Sequence, residues 1–234
     1  MRVLILLILF VGLGVLGLRQ SWWEIPREWN PWAALHVGDP VTPATRLKLR
    51  RLRDDPTACR AALDTAPQGT LRYDALGDHL GAPGCPLENV VRVRRAGTDF
   101  SASFVASCPL ALAWTLYEIH GLQPAAEATL GTRVRQVEHY GSFACRNIYH
   151  RENARRSEHA TAEALDVAGF RFEDGRRVSV LRDWNSEGED APARFLRAAR
   201  DAACRFFGNT LGPEYNAAHA NHFHLGMRGF GLCR

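Results

Sequence analysis

His219-Ala220-Asn221-His222-Phe223-His224-Leu225 carries three histidines within six positions near the end of the chain. Residues two apart in an extended strand share a face. The stretch therefore predicts a closing strand, His222 to Met227, with His222 and His224 projecting together and Phe223 turned into a core behind them. Neutral imidazole is the commonest metal ligand, and it titrates nearest neutrality. Such a pair can hold a metal and move a proton beside it. It can equally be a solvated strand end, or core histidines satisfied by hydrogen bonds. Further ligands elsewhere in the chain decide between these readings.

Working back from that strand, Asn209 to Ala218 reads as a loop. Asp190 to Phe207 reads as an amphipathic helix, with Phe195, Leu196, Ala199, Ala203 and Phe206 on one face. Ala162 to Phe172, the Asp174-Gly175 turn and Val178 to Leu181 predict a hairpin. Gly141 to Arg156 is polar and irregular, and Thr132 to Tyr140 is a strand. A short helix from Pro124 stops before Gly131. Another opens at Ser107-Cys108-Pro109, buries Leu110, Trp114 and Tyr117, and ends at Gly121. Leu87 to Val93 is a short strand. Asp55-Pro56 and Thr42-Pro43 are helix starts, a side-chain cap followed by proline in the first turn. Strands and helices mix without a repeating βαβ unit. That predicts an α+β domain, a small mainly antiparallel sheet with helices packed on it.

The 234 residues suffice for one ordinary domain with an appendage, and the net charge of +4 is mild. The basic run Arg46 to Arg53 lacks interleaved aromatics and reads as a solvated helix face, so nucleic acid is not an expected partner. Six cysteines, with no CxxC pair, argue against a cysteine zinc site and for disulfides in an oxidising compartment. Local closure would join Cys59 to Cys85, Cys108 to Cys145 and Cys204 to Cys233. The apolar run from Val3 to Leu18 makes about 24 Å of helix against a hydrocarbon core of roughly 30 Å. No small-x-small cleavage site follows it, and the Trp22-Trp23 pair suits a membrane interface. Residues 1–20 thus read as an inner-membrane anchor in preference to a cleaved signal, with the remainder exported to the periplasm, the alternative being secretion after cleavage. Residues 21–54 form a Trp- and Pro-rich tether with a basic helix, its indoles either at the lipid surface or packed on the domain. The principal domain is 55–234.

A zinc hydrolase needs three protein ligands and an open position for water. His224 can be one. Ser157-Glu158-His159-Ala160-Thr161-Ala162-Glu163-Ala164-Leu165-Asp166 offers His159 and Asp166 as the others. Alternation puts Ala164, Asp166 and Ala168 on one strand face, where small neighbours leave room for a site. Asp166 could also be a solvated strand residue.

A histidine, six residues and an aspartate, with a later His-x-His, resembles the zinc peptidases that include D-Ala-D-Ala carboxypeptidases and hedgehog-type domains. His219-x-x-His222-x-His224 is similar to the penicillin-insensitive murein endopeptidase branch. From about Cys59 to Arg234 the chain resembles the bacterial extensin-like C-terminal domain family. That likeness is carried by Gly141-Ser142-Phe143-Ala144-Cys145-Arg146, Ser157-Glu158-His159-Ala160, Asp174-Gly175, Asp183-Trp184, Leu211-Gly212-Pro213-Glu214-Tyr215-Asn216 and the His-rich end.

The resemblance implies a hedgehog- or D-Ala-D-Ala-peptidase-like fold and a Zn2+ ion held by His159, Asp166 and His224. It implies His222 as the residue handling the proton of the attacking water, assisted by His219. Arg146 lies near the position where those peptidases keep an arginine that binds the substrate carbonyl or carboxylate, or it is a structural ion-pair partner. One departure matters. The dipeptidase and carboxypeptidase branches place a glutamate base three residues before the last histidine, where this chain has Asn221. An amide cannot serve as a base, so the proton falls to a histidine. Glu163 reads as supporting or exposed, and Glu214 as fixing the loop before the histidines. The implied activity is a zinc peptidase or amidase acting on peptidoglycan peptides. The alternative is a wall-binding domain that retains the site without catalysis.

Overall fold

The structure is a computed structural model that describes residues 2–19, 24–185, 190–229 and 231–234. The chain opens with α1 (Arg2–Arg19), α2 (Pro43–Arg51) and α3 (Pro56–Leu63). Strands β1 (Leu71–Ala75), β2 (His79–Ala82), β3 (Cys85–Leu87), β4 (Val90–Ala96) and β5 (Thr98–Ser107) follow. Next come α4 (Cys108–Tyr117), a π turn (Glu118–Leu122), α5 (Gln123–Leu130) and β6 (Val134–Gly141). The last third holds β7 (Ala164–Phe172), β8 (Arg177–Ser179), α6 (Val180–Asp183), α7 (Ala191–Ala203), β9 (Asn209–Leu211), β10 (Phe223–Gly226) and β11 (Leu232–Cys233).

Helix starts follow the side-chain caps. Thr42, Asp55, Ser107 and Asp190 each accept a first-turn amide, and each is followed by proline at one of the first two positions. Helix α4 is buried on every side, Trp114 and Tyr117 included. It packs on α3 and on β4 and β5, and so forms the centre of the core.

Among the described residues a nine-stranded sheet runs β1-β4-β5-β6-β7-β10-β9-β11, with β8 beside β7. Most neighbours are antiparallel, but β5 pairs β6 and β9 pairs β11 in parallel, so the sheet is mixed. β10 pairs antiparallel with β7, and His224 lies directly opposite Asp166.

Two bulges aim the residues around Asp166. Pairing jumps from Glu138↔Gly169 to His139↔Val167, leaving Ala168 as an extra residue on β7. It jumps again to Gly141↔Asp166, leaving Tyr140 as an extra residue on β6. A bulge reverses which side chains face the core. Leu165 and Val167 therefore share the core with Phe170 and Phe172, which pack on Phe195 of α7, while Asp166 faces away.

Several expectations need correction. The disulfides are Cys59–Cys108, Cys85–Cys145 and Cys204–Cys233, so only the last follows local closure. Cys108 opens α4 where α4 packs on α3, which carries Cys59. Gly121 does not end its helix, since the chain continues through the π turn into α5 and stops at Gly131 in the left-handed region (φ 65). The strand expected at Leu87 to Val93 is broken by Asn89 at φ 49. Val180 begins α6 rather than continuing the hairpin, and Asn209 to Leu211 is a strand rather than loop. His222 lies just before β10, not within it. The Arg46 to Arg53 run is not simply solvated: Lys48 is buried on the Arg27 carbonyl, and Arg46 binds the carbonyls of Cys204 and Phe207.

The expected anchor corresponds to α1, whose residues Leu4 to Leu9 are exposed. Among the described residues no helix is long and apolar enough to cross a membrane. The Trp22-Trp23 pair lies outside the described residues. In the tether, Trp29 and Trp32 are exposed, and Arg51 stacks over Trp32 at 5.1 Å.

Candidate metal centre

His159 sits in a short 3-10 turn, Glu158–Thr161, capped by Ser157. The turn brings its ring beside β7 and β10. One ligand atom from each of His159, Asp166 and His224 lies within 4.8 Å of the others. His159 Nε2 is 3.1 Å from Asp166 Oδ2 and 3.2 Å from His224 Nδ1, and His224 Nδ1 is 2.9 Å from Asp166 Oδ1.

The outer nitrogens fix the tautomers. His159 Nδ1 stands 3.0 Å from the Ser142 carbonyl oxygen, which can only accept, so Nδ1 carries the proton. His224 Nε2 stands 3.2 Å from Glu158 Oε2, a carboxylate that can only accept. Two imidazole lone pairs and a carboxylate therefore converge on one point. Without a cation, one proton must bridge them. Burial lowers the His224 pKa, but its bonds to Asp166 and Glu158 outweigh this and raise it to about 9. Burial opposes ionisation of Asp166, yet His159 and His224 hold it well below the usual carboxylate range. Convergent lone pairs with outer nitrogens tied to a carbonyl and a carboxylate suit a divalent cation, so the three residues could hold a metal ion.

Glu158 was not singled out from the sequence as the residue that orients His224. Its carboxylate also accepts from Asn209 Nδ2 at 2.8 Å and from the Arg228 amide at 2.6 Å. Gly226 makes the space: a Cβ there would stand 2.5 Å from Glu158 Oε2 and 2.6 Å from Asn209 Oδ1. Nothing in the sequence pointed to this, since Glu158 is the neighbour of His159 but serves His224. Glu163 is buried and paired with Arg53 and Arg228, and Glu214 is an exposed partner of Arg200.

His222 and His219 stand beside the three without joining them. His222 Nε2 is 3.6 Å from Asp166 Oδ1, and the His219 ring is 5.2 Å from that of His222. Both have their Nδ1 on an asparagine oxygen at 2.8 Å, Asn221 for His222 and Asn216 for His219. Nδ1 donates, so Nε2 is left as a lone pair in each. Burial lowers the His222 pKa against the pull of Asp166, and burial with the neighbouring histidines brings His219 down to about 4. Both rings are thus neutral near pH 7. The bulged Tyr140 covers His222 at 5.9 Å between ring centroids.

All these histidines open onto a cleft of about 640 Å³, whose wall includes Arg146, Tyr149, Arg156, Leu211 and Tyr215. The charge of Arg146 acts on His222. The fold and site together define an α+β domain with a His-Asp-His cluster at the floor of an open cleft. The chain belongs to the family described as the extensin-like protein C-terminus, whose model matches residues 57–234. No curated protein and no solved structure matches it.

Proposed function

We propose that the chain is a zinc-dependent peptidase or amidase that acts on peptidoglycan peptides, related to the D-Ala-D-Ala carboxypeptidase and murein endopeptidase group. The observation that carries this reading is the convergence of His159 Nε2, Asp166 and His224 Nδ1, with the His222 Nε2 lone pair beside them. Zinc held by those three residues would polarise a scissile carbonyl and make a water acidic enough to attack near neutral pH. His222 is neutral and its Nε2 faces the site, so it accepts the proton of the attacking water. It then returns that proton to the leaving nitrogen as the C–N bond breaks. Asn221, which cannot act as a base, holds the His222 ring in the tautomer this requires. His219 stands behind it with the same asparagine-fixed tautomer. Arg146 contributes positive charge in the cleft where an oxyanion develops.

Disulfides and an exposed apolar α1 support export, with α1 either held at the membrane or removed. The test is digestion of purified sacculi by zinc-loaded full-length protein, with soluble products read by mass spectrometry. New cleaved stem peptides are expected from wild type and far fewer from His222→Ala. Wild type that carries zinc and releases nothing would leave a wall-binding domain in place of an enzyme.

A further inference from the structure

The family match begins at residue 57, yet the segment before it reaches the back of the cluster. Arg46 donates to the carbonyls of Cys204 (2.5 Å) and Phe207 (3.0 Å), and Arg50 to that of Gly229 (3.2 Å). Arg53, just beyond α2, pairs with Glu163 at 2.6 Å. These three residues recur at i, i+4 and i+7, one side of a helix. Arg46 and Arg50 grip the two segments that flank β9 and β10, and Arg53 holds the residue that precedes β7.

Beyond Glu163 the contacts continue inward. The other Glu163 oxygen accepts from Arg228 Nε at 2.7 Å, and the Met227 amide donates to the Glu163 carbonyl at 2.9 Å. Arg228 is further tied to Thr161 Oγ1 at 2.8 Å and to the Arg156 carbonyl at 3.0 Å. With its side chain fixed, its backbone amide is held on Glu158 Oε1 at 2.6 Å, and Glu158 orients His224. Arg228 lines both the histidine cleft and a second cleft of about 560 Å³ whose wall holds Arg53 and Glu163.

We propose that the segment preceding the family domain is part of the metal centre, with Arg53, Glu163 and Arg228 acting as positioning residues that hold Glu158 against His224. The inference rests on the zinc reading above. Glu163 is buried beside its two arginines, so a loss of Arg53 leaves Oε1 without that partner, while Oε2 keeps Arg228 and the Thr161 hydroxyl. Arg228 then gains freedom, and with it the amide that steadies Glu158. Substitution of residues that orient metal ligands typically weakens binding by about 10- to 100-fold. One step further out, a loss of about three- to tenfold is expected for Arg53→Met, and about tenfold for Glu163→Gln.

The experiment is a chelator-competition titration of zinc on full-length wild type, Arg53→Met, Arg53→Lys, Glu163→Gln and the remote control Arg94→Met. Arg94 makes an exposed pair with Asp74 far from the cluster. Cobalt-substituted spectra and melting of the metal-free proteins are recorded in parallel. Weaker zinc binding and a shifted cobalt spectrum in Arg53→Met and Glu163→Gln are expected, with recovery in Arg53→Lys and no change in Arg94→Met. Metal-free melting of Arg53→Met should match that of Arg94→Met, which separates positioning from general stability. Wild type that binds zinc, with Arg53→Met and Glu163→Gln binding it equally well, would overturn this inference alone. Wild type that takes up no zinc would overturn the metal reading and this inference with it.

Discussion

Glu158 Oε2 lies 3.2 Å from His224 Nε2, and this contact leaves the opposite ring nitrogen to face Asp166 at 2.9 Å. The ligand atom of His224 is thus chosen by a residue on another element. Glu158→Gln keeps the shape but can present a donor where an acceptor is needed. Zinc affinity should fall by about tenfold or more, while the metal-free fold is retained. Equilibrium titration against a chelator checks it, and an unchanged affinity would remove Glu158 from this role.

The pH dependence follows from the same pair. His224 is raised from 6.5 to about 9 in the folded chain. Its stabilisation of the metal-free protein is complete below pH 6.5 and is lost as pH rises through 9. Asp166 is lowered from 3.8, so its contribution is present above that value and lost as pH falls below it. The metal-free protein should therefore melt highest between about pH 4 and 6.5. Zinc must displace the His224 proton, so its affinity should rise about tenfold per pH unit and level off near pH 9. Titrations from pH 6 to 10 give the slope, and a flat profile would contradict the proton bridge.

Gly226→Ala places a methyl group against Glu158 and Asn209 at less than contact distance. The carboxylate has to move. A cost of about 1–3 kcal/mol in unfolding free energy is expected, together with weaker zinc binding. Denaturant melts of the metal-free and zinc-loaded proteins should show the larger loss in the loaded form.

His222→Ala removes the proton acceptor but no metal ligand. Turnover of sacculus peptides should fall by about 10²- to 10⁴-fold with zinc affinity close to wild type. Asn221→Ala frees the His222 ring without removing it, so a smaller fall is expected. Equal losses of zinc and turnover in His222→Ala would place that ring among the ligands instead.

Much of the helical framework was legible because its signals are local. Thr42, Asp55, Ser107 and Asp190 announce helix starts with a side-chain cap and a proline, and the structure uses each of them. Strand β5 was missed because Thr98 to Ser107 is rich in serine and alanine and has few β-branched residues. The bulges at Ala168 and Tyr140 were not legible, since each is a property of the pairing between β6 and β7. Simple alternation would have put Asp166 on the face of Phe170. His159, Asp166 and His224 are candidates by residue type, and the family resemblance implies them as one set. Glu158 could not be picked out, because its partner is 66 positions away. Two of the three disulfides failed for the same reason: Cys108 meets Cys59 through helix packing, not through proximity in the chain, while the local pair Cys204–Cys233 forms as expected.

Metal content after purification and zinc dialysis tests the central claim most directly. One zinc per chain is expected for wild type and for His222→Ala, and none for His159→Ala or Asp166→Asn at matched concentration. Wild type without zinc, or a His159→Ala variant that keeps it, would contradict the assignment of His159, Asp166 and His224 as the metal centre.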